Sequence, residues 1–401
     1  MINNHFKYFF LFIFIQHLLF ANDPLQENAD DILNQLTVDE KISLLSGKGA
    51  YNTQNIDRLG LIQLELWDGP NGVRSNSNEI ATAFPVGISM GATWNTDLIN
   101  ELGVALGKES RAFEVEVLLG PTMNIIRTPL NGRTFETFSE DPFFNGIIAS
   151  AYINGLQSEY VGSSVKHFIA NNQEIRRQSV SAEISERALR EIYLPAFEKV
   201  VKESQPYTIM AAYNRINGIH ATEQRYIMND ILREEFGFEG VLLSDWGGVK
   251  STAPSLKASL DLEMPGPGNY YEKPLRKALK KGVVTEQEID KAALRIIKLI
   301  LKTKLGKSYE ISEVLNDNKE IARLVAEESI VLLKNEKKIL PLNPKNIKSI
   351  AVIGPNANRS VIQGGGSARV TPAYSITPLK GILDGAQIND IDVYYEKGVE
   401  N

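Results

Sequence analysis

The 401-residue chain has no cysteine, which excludes disulfides, cysteine-ligated zinc and thiol catalysis. Histidine is scarce too. His5, His17, His167 and His220 are too scattered for a His-rich metal motif, so neither a metal nor another cofactor is expected. Long runs of one charge are also missing. The 43 basic and 49 acidic side chains are dispersed, with a net charge of −6, so no clustered basic surface exists to neutralise phosphates, and nucleic acid drops out as a partner. No internal repeat or low-complexity tract stands out. A balance of 43% hydrophobic to 23% charged residues is that of a folded protein, and the length calls for a large barrel or two domains.

The one strongly apolar stretch is at the start. Lys7 in a short polar lead, the run YFFLFIFI and the LLFA that ends at Ala21 read as a signal peptide at 1–21. The stretch is too short and too poorly flanked for a stable membrane span, although an uncleaved anchor is the competing reading. The mature chain is therefore expected to begin near Asn22 and to be secreted or periplasmic.

Beyond the signal, polar residues 22–40 lead into a helix carrying Ile32, Leu33, Leu36 and Ile42, with Thr37 and Glu40 as a capping pair. The rhythm then changes. Apolar runs recur at 61–67 (LIQLELW), 115–120 (VEVLLG), 163–168 (SSVKHF), 207–213 (YTIMAAY), 240–246 (GVLLSDW) and 260–266 (LDLEMPG), each followed by polar or Gly-rich residues. Strand-like runs alternating with helices over such a length predict parallel βα units closed into an α/β, (β/α)8 TIM-type barrel over 22–306. A helix over 285–305, opened by a Thr285–Glu288 capping box and stopped at Gly306, would pack on its core. A second helix over about 317–334 falls within a linker, 307–345. The strand SIAVIG then opens a partial α/β sandwich over 346–401. GPNANR after that strand lacks the G-x-G-x-x-G spacing of a dinucleotide site.

In a barrel, chemistry gathers where strands end. Asp245 closes the most strand-like run. An aspartate there can simply cap the next helix, but Trp246 beside it adds an aromatic face of the kind a sugar ring stacks on. Lys166 and His167 are consecutive, so a regular strand would aim only one of them inward, and a bulge is needed for both. Lys166 alone also admits a Schiff-base lysine. Asp68 in WDGPNGVR and Arg133 in NGRTFETFSEDP lie in Gly-rich turns, where they could hold a sugar's hydroxyls or pair with each other.

Taken together, WDGPNGVR, GPTMNIIRTPLNGRTFETFSEDPF, VKHFIANNQE, IMAAYNRING and GVLLSDWGG resemble, in order and spacing, the motifs of glycoside hydrolase family 3 β-glucosidases. SIVLLKNEKKILPL, VIGPNA and GGGSARV resemble that family's linker and the opening of its sandwich domain. The resemblance implies a retaining enzyme acting on a β-glucoside or oligosaccharide, with Asp245 as nucleophile. It implies that Asp68, Arg133, Lys166 and His167 hold the sugar in the −1 site, that Tyr213 lies under the nucleophile and that Trp246 shapes the +1 site. The family's general acid/base is a glutamate of the sandwich domain, and no position up to Asn401 matches it. That motivates a second expectation, a catalytically weak sugar-binding remnant whose incomplete sandwich could self-associate. A Schiff-base lyase using Lys166 is the third.

Overall fold

The computed structural model describes residues 24–74 and 79–399, so the expected signal segment at 1–21 lies outside the described residues. Five short strands, β1 (Leu66–Asp68), β2 (Val117–Leu119), β3 (Gly162–Phe168), β4 (Thr208–Ala211) and β5 (Val241–Ser244), pair in parallel in that order. Apart from the half-buried Trp67, their residues are fully buried. Strands covered on both faces by helices carry such near-continuous apolar runs rather than an alternation.

The ring closes through single bridges rather than regular strands. Leu243 pairs in parallel with Leu262, and Glu263 in parallel with Ser46. The chain then folds back, so that Gly47 pairs antiparallel with Thr53 and Asn52 antiparallel with Glu65, just before β1. The result is a TIM-type barrel in which residues 51–53 form an inverted stave. The run at 260–266, expected as a full strand, pairs only at Leu262 and Glu263, because Pro265 and Pro267 have no N–H to give to a ladder.

The crossovers supply the outer layer. Helices α1 (Thr96–Ala112) and α2 (Pro142–Ser158) approach so closely that a Cβ on Gly155 would sit 2.1 Å from the Asn100 carbonyl oxygen. Helix α3 (Glu286–Thr303) has the expected Thr285–Glu288 capping box, and Ile289, Ala293, Ile296, Ile297 and Ile300 face the core. Gly306 is not its stop. The helix ends at Thr303, and Gly306 instead lies under Arg111, whose guanidinium donates to the carbonyls of Thr303, Gly306 and Lys307. Near the N-terminus the single expected helix is two, Pro24–Gln35 and Val38–Leu44, because the Thr37 capping box starts a new one.

Helix α4 (Ile311–Glu328) starts and ends earlier than the expected 317–334. Its buried stripe of Val314, Asn318 and Val325 packs toward α1, whereas Ile330, Val331, Leu332 and Leu333 follow in irregular, exposed chain. Beyond it, β6 (Ser349–Ile353), α5 (Pro378–Ile388) and β7 (Asp392–Glu396) make one parallel βαβ unit. The segment between β6 and α5 returns to the barrel, where Asn71 donates to the Ala368 carbonyl (3.3 Å) and the Ala81 amide to the Thr371 carbonyl (3.0 Å). Among the described residues no helix is long and apolar enough to cross a membrane.

Candidate active site

The C-terminal strand ends meet at one narrow cavity of about 170 Å³. Asp68 closes β1, Lys166 and His167 lie near the end of β3, Tyr213 follows β4, Asp245 and Trp246 follow β5, and Arg133 comes from the loop between β2 and β3. All seven line the cavity. The strand register slips between Val165 and Phe168, an irregularity that lets consecutive Lys166 and His167 both line it.

The carboxylates differ in what they hold. Asp68 Oδ2 accepts from Arg74 Nη1 at 3.1 Å and is approached by the Tyr51 hydroxyl at 3.5 Å, while its Oδ1 is 3.4 Å from Lys166 Nζ. Glu136, behind the cavity, takes a two-point grip from Arg133 (Nε–Oε1 2.6 Å, Nη2–Oε2 3.1 Å) and a bond from the Thr122 hydroxyl at 2.9 Å. Burial would raise the Glu136 carboxyl, but the adjacent Arg133 outweighs it and holds it below its ordinary value. Burial likewise works against the Arg133 charge, and Glu136 again prevails, so the guanidinium is held more firmly protonated than usual.

Asp245 is arranged otherwise. Its Oδ1 accepts the Trp246 amide N–H at 2.7 Å, and its buried Oδ2 accepts no hydrogen bond. Burial pushes its carboxyl above the ordinary aspartate value, against the pull of Arg133, the Trp246 amide, Lys166 and the Tyr213 hydroxyl. His167 Nε2 is 3.7 Å from Oδ2, beyond hydrogen-bond reach. Burial, followed by the charges of Arg133, Lys166 and Arg177, drives the His167 pKa well below its usual value, so the ring is neutral and this contact is not an ion pair. Tyr213 donates to the Trp246 carbonyl at 2.9 Å and is covered by Arg177, 4.8 Å from its ring centre. Trp246 is itself braced, with its indole N–H on the Ala50 carbonyl (2.7 Å) and its face tilted against Tyr51.

Four cationic side chains and two carboxylates around one small space offer donors and acceptors to a neutral ligand rich in hydroxyls. Among the described residues no three His, Asp or Glu side chains come together as a metal site. Reasoning from sequence passed over Tyr51, Arg74, Arg177 and Ser367, which also line the cavity. Arg74 stands in WDGPNGVR and Ser367 in GGGSARV, both motifs open to inspection, but nothing local says that Ser367, 234 residues from Arg133, comes within 3.5 Å of its Nη2.

Comparison with known proteins decides the family. The sequence profile described as "Glycosyl hydrolase family 3 N terminal domain" matches residues 48–299, and that of the "Glycosyl hydrolase family 3 C-terminal domain" matches residues 330–393. The chain belongs to glycosyl hydrolase family 3. A beta-glucosidase of Rhizobium radiobacter is 44% identical over 363 residues, which is 88% of this chain and 44% of that protein. An exo-alpha-(1->6)-L-arabinopyranosidase of Bifidobacterium longum is 41% identical over 379 residues, 90% of this chain and 49% of that one. The crystal structure of a beta-glucosidase from Kluyveromyces marxianus in complex with glucose superposes with a TM-score of 0.85 at 37% identity, covering 92% of this chain and 46% of that one. The chain thus spans about half the length of the curated relatives it matches.

Proposed function

We propose that this family 3 chain carries the sugar pocket and the nucleophile for retaining hydrolysis of terminal β-glucosyl residues, with Asp245 as that nucleophile. One observation carries the assignment. Asp68 and Glu136 are occupied by cations, whereas Asp245 keeps an unbonded oxygen inside the pocket. Its Oδ2 would bond to the anomeric carbon as the bond to the aglycone oxygen breaks, and water would later cleave the resulting glycosyl ester. Asp68, Arg133, Lys166 and His167 would hold the ring hydroxyls, Tyr213 would steady the nucleophile from below, and Trp246 would offer its braced face to the aglycone. A Schiff-base role for Lys166 has less support, because its ammonium faces Asp68 rather than the apolar surroundings that activate such lysines. We also propose that residues 1–21 direct export.

The test is a 2-deoxy-2-fluoro-β-glucoside with a dinitrophenolate leaving group, which departs without needing a proton. Mass spectrometry should find the sugar on the peptide containing Asp245. A label on Asp68 would sink the assignment. Because one relative bears the name of an arabinopyranosidase, the α-L-arabinopyranoside belongs in the same panel, and faster turnover of it would move the substrate class while leaving the nucleophile in place.

A further inference from the structure

Behind His167 stands Asn124, buried and used by no step above. Its carboxamide spans the His167 backbone: Oδ1 accepts the His167 amide N–H at 3.0 Å, and Nδ2 donates to the His167 carbonyl at 2.8 Å. A backbone N–H can only donate and a backbone carbonyl can only accept, so the orientation of this amide is fixed by its partners. The same Oδ1 lies 3.2 Å from His167 Nδ1. An amide oxygen cannot donate, so the hydrogen of that contact must be on Nδ1. A neutral imidazole then has a bare Nε2, and 2.8 Å from Nε2 is Arg133 Nη1, which can only donate. Both ends of the ring agree.

We propose that Asn124 is a positioning residue that fixes His167 as its Nδ1–H tautomer, so that Nε2 presents its lone pair to the Arg133 guanidinium and no hydrogen to Asp245. This rests on the reading of Asp245 as nucleophile. A ring protonated at Nε2 would set its hydrogen against the Arg133 guanidinium, while Asp245 Oδ2, 3.7 Å away, is too far to accept it. The Nδ1–H ring avoids that clash. It also leaves the Nε2 lone pair to accept from Arg133 Nη1, which steadies the guanidinium at the wall of the sugar pocket. The charged groups facing the ring are Arg133, Lys166 and Arg177 on one account and Asp245 on the other.

The measurement uses residues 22–401 labelled with ¹⁵N-histidine. Only His167 and His220 lie in that span, and a His220→Gln variant assigns the signals. The expected spectrum at neutral pH shows a protonated, pyrrole-type Nδ1 and a bare, pyridine-type Nε2 for His167. An Nε2–H pattern, or an imidazolium, would overturn the proposal. In Asn124→Asp a carboxylate opposite Nδ1 should draw a second proton onto the ring, and the rate of labelling by the 2-fluoroglucoside should fall about ten- to a hundredfold, the scale of a misdirected contact in a reacting geometry. A ring that stays neutral with an unchanged labelling rate would show that Asn124 does not set it. The two readings part cleanly: an Nδ1–H ring with the sugar found on another residue supports this tautomer and removes Asp245.

Discussion

Two aspartates at strand ends face the same cavity, and their surroundings give them opposite parts. Asp68 lies between Arg74 and Lys166, so its charge is compensated. Asp245 is buried with one oxygen unmatched, and its carboxyl is raised by that burial above its ordinary 3.8. A carboxyl raised on folding contributes stability below its unfolded pKa and loses it as pH rises through the folded pKa. Asp245→Asn is therefore expected to raise the melting temperature at neutral pH while abolishing glycosyl transfer. The gain should vanish as the pH falls toward 3.8, where the aspartate too is neutral. A lower melting temperature for the variant at neutral pH would contradict this account. Arg133 makes the complementary case. Arg133→Ala should weaken glucose binding about ten- to a hundredfold, the loss of one charge-assisted hydrogen bond, and should destabilise the fold by leaving Glu136 buried and unpaired. Adding Glu136→Gln should recover the stability and not the binding. Calorimetry on the single and double variants separates the two effects.

At the scale of elements, the helix–helix contacts depend on a few polar and small residues. Glu109 of α1 is buried, and that burial raises its carboxyl, although the Thr82 amide (2.8 Å) and Asn318 of α4 (2.6 Å) both donate to it. Asn318→Ala should cost about 1 to 3 kcal/mol in urea unfolding by orphaning that carboxylate, and Glu109→Gln should relieve part of the loss. No destabilisation would mean that α4 docks by its apolar stripe alone. The strands were legible because apolar runs of the right length ended on polar groups, and the capping box of α3 was legible because its chemistry is local. The inverted stave was not, since a bridge of one or two residues has no periodicity to read. Helix α4 was placed too late because the run at 330–333 looks like buried helix and is instead exposed, irregular chain. In the site, residues at strand ends could be picked out one by one. The role of Asn124 could not, because it depends on which atom of an amide faces which atom of a ring.

At the scale of the whole molecule, the cavity is not the property of the barrel alone. The segment after β6 contributes Ser367, and Gly364 lies against the ring of Phe135, where a Cβ would come within 2.2 Å of Cε1. Phe135 sits in the Thr134–Glu136 turn that ends on the partner of Arg133. A Gly364→Leu substitution should lift this segment from the mouth, with glucose affinity falling about tenfold while the barrel remains folded. Unchanged affinity would mean that the segment is only a neighbour.

The inverted stave at 51–53 places a tight turn, residues 48–50, at the mouth of the barrel beside the aromatic platform: Ala50 receives the Trp246 indole hydrogen and Tyr51 leans on its face. In a barrel of parallel strands the rim is built from the loops that follow each strand. Here one part of the rim is a hairpin, held by the Gly266 amide N–H on the Gly49 carbonyl (2.8 Å). If Trp246 faces the aglycone as proposed, this turn is the part of the rim that would set how far the leaving group can lean on that platform.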